Sequence, residues 1–210
     1  MSKNSERNIR SLHLDWCKPS DMVECKLPII EPCNYMPPRL ISFRESQESA
    51  DYEAGVHFFV DDVYFEKVWS NPTQWIKHLS KFSCVITPDF SVYCDAIIPS
   101  MWNIYRSRMF GRKLQDCGLK VIPTVPFGTY ELTHFALLGL PQNSLVCVST
   151  VGARKRHNSR MAFQAGLDII SKFLQTSGVL VYGELDSFDY HNLKTYQYEQ
   201  SILYKPEEAC

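Results

Sequence analysis

The chain has 210 residues, 45% of them apolar and 21% charged, proportions that allow a sizeable core and exclude disorder as the main state. Its 22 lysines and arginines against 23 aspartates and glutamates leave a formal charge of -1, which excludes a molecule-wide basic field for holding nucleic acid non-specifically. No apolar run approaches the ~20 residues of a membrane span, and the polar opening Met1 to Arg7 has no apolar stretch behind it, so a cytoplasmic protein without a membrane partner is expected.

Residues 1–38 read as an irregular N-terminal arm, because Pro19, Pro28, Pro32, Pro37 and Pro38 leave no room for a long regular element. The arm carries Cys17, Cys25 and Cys33 at even spacing, with His13 nearby. A structural zinc site uses a tight Cys-x-x-Cys turn to bring two thiolates onto one tetrahedron, and that spacing is absent. All eight cysteines are therefore expected to be reduced thiols, with metal binding by the three in the arm as the alternative.

Residues 39–210 read as a single α/β domain. Leu40 to Phe43 suits a short anchoring strand. From Val56 onward, short β-rich apolar runs alternate with stretches of helical spacing, the pattern of βα units around a mainly parallel sheet. About five to six strands with flanking helices are expected, in an open or partial-barrel-like sheet. Val56 to Val60 is apolar on both faces, as a covered strand requires. Phe65, Val68 and Trp69 then form a helical turn, and Asn71-Pro72 caps a helix with Trp75, Ile76 and Leu79 inward. Cys84 to Ile86 is the next strand, followed by a helix over about 99–116 that closes at Cys117-Gly118. Lys120 to Val125 is a strand whose Pro123 implies an edge position or an early end to pairing. Thr129 to Asn143 carries the weakest pattern, a short helix or strand around Leu132 to Leu138. Leu145 to Val151 is a clear strand, Ser159 caps a helix reaching about Thr176, and Gly178 releases the chain into a last strand, Val179 to Tyr182. The tail after about residue 190 is polar and aromatic, with no element assigned.

In parallel α/β folds the strand C-termini converge on one rim, where ligands bind. The strand assignments put Asp61 and Asp62, Asp89, the Gly152 loop with Arg154, Lys155 and Arg156, and Glu184 on that rim. Carboxylates from several strands suit Mg or Mn, so Asp61, Asp89 and Glu184 are the candidate metal ligands, and Asp61 and Asp89 the candidate catalytic pair. A glycine-basic loop at a helix start suits phosphate, so Gly152, Arg154, Lys155 and Arg156 are candidate ligand contacts, with Asp62 beside them. Tyr93, Asn103 and Arg106 join this set, and Arg106, Arg108, Arg112 and Lys113 offer a small positive helix face. The plainer alternative makes the aspartates turn caps and the basic runs solvated surface. His57 shares a strand face with Asp61 but stands about 13 Å from it, so it reads as a core histidine. No Gly-x-Ser-x-Gly elbow, Gly-x-x-x-x-Gly-Lys loop or Gly-x-Gly-x-x-Gly turn occurs, which disfavours common hydrolase and nucleotide-binding classes.

Val56 to Asp62, Phe65-Glu66, Val68-Trp69, Asn71-Pro72, Pro88 to Tyr93, Asp95, Trp102 to Arg108, Gly111, Val121 to Pro123 and Val181 to Gly183 together resemble a family of bacteria, archaea and their phages known as domain of unknown function 4417. The resemblance implies a compact domain carried by mobile elements, acting in the bacterial host cytoplasm, with an aspartate, placed here at Asp89, as the functional residue. It supplies no activity. The chain departs from the family pattern at Pro126-Phe127-Gly128-Thr129, where a Trp-Gly-Asp-like turn is usual, and at Val151-Gly152-Ala153, where Gly, His and Cys are usual. Two functions follow as expectations. One is a phage or mobile-element protein that binds a nucleotide, a nucleic acid or a host protein, countering host defence. The other is a divalent-metal-dependent phosphodiesterase or nuclease-like hydrolase using Asp61 and Asp89.

Overall fold

The computed structural model describes residues 12–153, 157–185 and 188–200. Seven short strands appear in it: β1 Leu40–Ser42, β2 Gly55–His57, β3 Cys84–Ile86, β4 Val121–Ile122, β5 Ser144–Ser149, β6 Thr176–Tyr182 and β7 Thr195–Tyr198. They form a sheet of order β1-β2-β3-β4 and a sheet of order β5-β6-β7, with every pair parallel. A parallel bridge between Thr124 and Cys147 joins the two, with the Cys147 N–H donating to the Pro123 carbonyl at 2.9 Å and the Val125 N–H to the Cys147 carbonyl at 3.0 Å. The strands therefore follow chain order across one parallel surface. That surface curls: the His57 and Phe59 rings from the β2 side lie 4.0 and 5.5 Å from the Tyr182 ring of β6. Among the described residues no ladder joins β7 to β1, so the barrel stays open.

Among the described residues six α-helices lie between the strands: α1 Phe43–Ser46, α2 Lys67–Ser70, α3 Pro72–Leu79, α4 Ile97–Asp116, α5 Tyr130–Leu137 and α6 His157–Phe173. Strand periodicity sorts the apolar side chains into an inner and an outer layer. Val179 and Val181 of β6 pack outward with Phe163, Leu167 and Ile170 of α6, while Leu180 and Tyr182 join Leu145, Cys147, Ile86 and Ile122 inside. A second outer cluster sets Phe58, Val85 and Val121 against Met109, Phe110 and Leu114 of α4. No helix among the described residues is long and apolar enough to cross a membrane.

Several elements differ in detail from the pattern expected. Phe43 opens α1 because Ser42 and Glu45 form a reciprocal capping box that ends β1 at Ser42. Asn71 occupies the N-cap of α3, but its side chain bonds Gln74 and caps nothing. Pro123 stops β4 early, yet β4 is interior, since the proline carbonyl still accepts from Cys147. Helix α6 begins at His157 and ends at Phe173, and Gly178 lies inside β6, where a Cβ would come within 2.6 Å of the Tyr196 ring. The seventh strand, β7, forms where only a polar aromatic tail was expected. Ahead of β1 the described residues pack on the rest of the chain: Leu27 and Ile30 are buried, the Ile30 N–H bonds the Gly139 carbonyl, and the Cys33 carbonyl accepts from Leu145 at the start of β5.

Candidate functional site

The C-terminal ends of β2, β3, β4 and β5 and the start of α6 enclose a cleft of about 520 Å³. Asp61 and Asp62 follow β2, Asp89 follows β3, Thr124 to Phe127 follow β4, and Gly152, Asn158 and Ser159 frame the entry to α6, all on its lining. Pro88 and the single-residue gap after Thr87 explain the position of Asp89. Thr87 ends the β3 ladder by donating its N–H to the Ile122 carbonyl, and the chain then turns out onto the rim.

Asp89 is half-buried, and burial pushes its carboxyl from an ordinary 3.8 up to about 7. The Thr124 hydroxyl, donating to Asp89 Oδ1 at 3.3 Å, opposes that shift, and the negative charge of Asp62 adds to it. Asp62 fastens the two loops together. Its Oδ1 accepts from the Ser91 N–H at 3.2 Å and from the Ser91 hydroxyl at 3.0 Å, and its Oδ2 lies 3.1 Å from the same N–H. Asp61 is exposed at the N-cap of the Asp62–Tyr64 turn, without a side-chain capping bond.

Asn103 and Arg106, expected as ligand contacts, sit behind the cleft wall and brace it. Asn103 Nδ2 donates to the Ser91 carbonyl at 2.6 Å and its Oδ1 accepts from Arg106 Nη2 at 2.7 Å. The Arg106 guanidinium stacks on Phe90 at 3.8 Å and pairs with Glu66. Phe90 and Ser91, the two residues after Asp89, are thus gripped from behind. Tyr93 is exposed and does not line the cleft. Glu184 is not on the lining either. Arg154, Lys155 and Arg156 lie outside the described residues.

The expected positive face on α4 does not form. Arg106 and Arg108 are buried, and Arg112 is neutralised by Asp21, Glu31 and Asp116. His57 is a core histidine as expected: it is fully buried, its Nδ1 accepts from the Phe59 N–H, and burial pushes its pKa down to about 3. Among the described residues no group of three or more His, Cys, Asp or Glu is arranged to hold a metal ion. Of the three arm cysteines Cys17 is buried, Cys25 exposed and Cys33 partly buried, and the nearby His13 ring stacks on Trp16. A cation in the cleft would have Asp61, Asp62 and Asp89 to choose from, with water completing its shell. Thr124 and Phe163 line the cleft without being candidates from sequence, and so does Phe127, marked there only as a departure from the family pattern. The available signal was Pro123, which ends β4 and so puts the next four residues on the rim.

Residues 19–199 match the family described as Domain of unknown function (DUF4417). The chain is 33% identical over 172 residues to "Gene 1 protein" of Mycobacterium phage D29, a match covering 80% of this chain and 64% of that protein. It is 30% identical over 178 residues to "Gene 1 protein" of Mycobacterium phage L5, covering 81% and 78%. The match thus spans less than two thirds of the D29 protein. No solved structure matches. Because the family match takes in all seven strands and the whole cleft lining, the chain belongs to the DUF4417 family, together with these mycobacteriophage proteins.

Proposed function

We propose that this phage-type protein binds a phosphate-containing ligand, a nucleotide, in the rim cleft, and that it does so to withdraw that ligand from host defence. The observation that carries the reading is the meeting of Asp61, Asp62 and Asp89 with Gly152 and the first turn of α6 on one cleft. The two halves are chemically complementary. In sequence Arg154, Lys155 and Arg156 stand between Gly152 and His157, the first described residue of α6, which makes them, with the N–H groups of the helix start, the groups proposed for the phosphate. The carboxylates opposite need not repel it, because burial pushes the Asp89 carboxyl up to about 7, which lowers its negative charge below that pH, and a divalent cation would offset the others. Isothermal titration with nucleoside mono- and diphosphates, with and without Mg²⁺ or Mn²⁺, tests this. Saturable binding weakened at least about tenfold, ~1.4 kcal/mol, by joint replacement of Arg154, Lys155 and Arg156 with alanine is expected. Absence of saturable binding under every condition would sink the proposal.

A second reading, metal-assisted phosphodiester hydrolysis with Asp61 and Asp89, is favoured by one observation. A carboxyl poised near pH 7 is suited to general acid–base work. It requires Mn²⁺-dependent turnover of a bis-aryl phosphodiester that Asp89→Asn abolishes, and a wild-type chain inert with every divalent ion excludes it.

A further inference from the structure

Four phenylalanines line the cleft, and they are not equivalent. Phe59, Phe90 and Phe163 are 6%, 3% and 4% exposed and belong to the packed core, whereas Phe127 remains partly exposed. A partly exposed aromatic ring thus lines a cleft that also holds three carboxylates.

The way it is held defines which part of it is free. Helix α6 carries a glycine, Gly166, beneath the ring: an added Cβ there would fall 2.1, 2.4 and 2.6 Å from Phe127 Cδ1, Cγ and Cε1. Near-equal approach to three consecutive ring atoms places the glycine over the ring face instead of beyond its edge. One face of Phe127 therefore lies flat on the helix backbone, at a position where any other residue would collide. A glycine inside a helix is unfavourable relative to alanine, so the close seating is obtained against local propensity. Phe163, packed edge-to-face at 4.9 Å and 86°, fixes the ring against rotation. Phe127 lines the cleft with Asp89 and with Ser159 of α6, so with one face on Gly166 it is the opposite face that a ligand would meet.

We infer that Phe127 is a specificity-determining platform on which the cleft stacks the planar base of its nucleotide. This rests on the reading of the cleft as a nucleotide site and adds what selects the ligand: the acidic and helix-terminal groups meet phosphate and cation, and the immobilised ring meets the base. Stacking on an aromatic side chain tolerates any base, so the platform sets a class of ligand, nucleotide against sugar phosphate, and not a sequence.

The test uses the full chain with two probes that share a phosphate, adenosine 5′-monophosphate and ribose 5-phosphate, each titrated by calorimetry against wild type, Phe127→Leu and Phe127→Trp. Leucine keeps an apolar side chain and removes the flat face, and tryptophan keeps a face. In wild type, adenosine monophosphate should bind at least about tenfold more tightly than ribose 5-phosphate. Phe127→Leu should abolish that difference while leaving ribose 5-phosphate binding unchanged, and Phe127→Trp should retain it and show quenching of its indole emission by the nucleotide. Equal wild-type affinity for the two probes overturns the inference and leaves the phosphate reading standing. So does a Phe127→Leu protein that keeps the preference, or one that loses both probes equally while Phe127→Trp loses them too. A wild type that binds neither probe removes the nucleotide reading and this inference with it.

Discussion

Asp89→Asn should change the pH dependence of folding stability in a defined window. In the folded chain burial and the Asp62 charge push the Asp89 carboxyl from an ordinary 3.8 to about 7, so between those values the native state holds a proton that the unfolded chain does not. Stability from this group is therefore present at the acid end and falls as pH rises towards 7. A shift of roughly three units at about 1.36 kcal/mol each sets a ceiling near ~4 kcal/mol, and solvent reaching the half-buried carboxylate reduces it to about 2 kcal/mol. Asparagine is uncharged at every pH and matches the shape. Urea unfolding should find Asp89→Asn about 2 kcal/mol more stable than wild type near pH 8 and within about 0.5 kcal/mol of it near pH 4.5. His57, whose depressed pKa removes stability as pH falls below its ordinary value of 6.5, contributes equally to both proteins and cancels. A stability difference that is the same at the two pH values would refute the claim that Asp89 is held protonated by its surroundings.

The buried arginines make opposite predictions. Arg106→Met should cost about 2 kcal/mol and speed hydrogen exchange at the Ser91 amide, because it strips Glu66 and Asn103 of their partner and removes the stack on Phe90. Unchanged exchange at Ser91 would show that the loop is held by Asp62 alone. Arg108→Met should stay within about 1 kcal/mol of wild type in chemical denaturation, since Arg108 is fully buried, bonds the Ala136 carbonyl and, among the described residues, finds no partner for Nε and Nη1, its pKa pushed down to about 9. A loss above about 3 kcal/mol would mean those nitrogens have an ordered water or another partner. Gly166→Ala should destabilise by about 1–3 kcal/mol, because the new Cβ must displace the Phe127 ring, and a neutral or stabilising effect would show that the ring moves aside freely.

Local chemistry made much of this chain legible. Short continuous apolar runs marked β2, β3, β5 and β6, helical spacing marked α4 and α6, and the order of strand and helix implied a parallel sheet whose C-terminal rim would gather Asp61, Asp62, Asp89 and Gly152. Long-range relations were not written in local pattern. Thr195 to Tyr198 alternates polar residues with Tyr196 and Tyr198, which pack on the inner cluster, but four residues are too short a run to mark a strand, which follows from its pairing with β6. Arg106 looks like surface charge in sequence, and only the fold brings Glu66 and Phe90 from other segments to bury it. The same holds for Phe127, whose value depends on a glycine 39 positions later in the chain. Asp89 shows the division most plainly: sequence determined that a carboxylate follows a strand end, while its proton affinity is a property of the space around it, set by desolvation and by Asp62, neither of which exists until the chain folds.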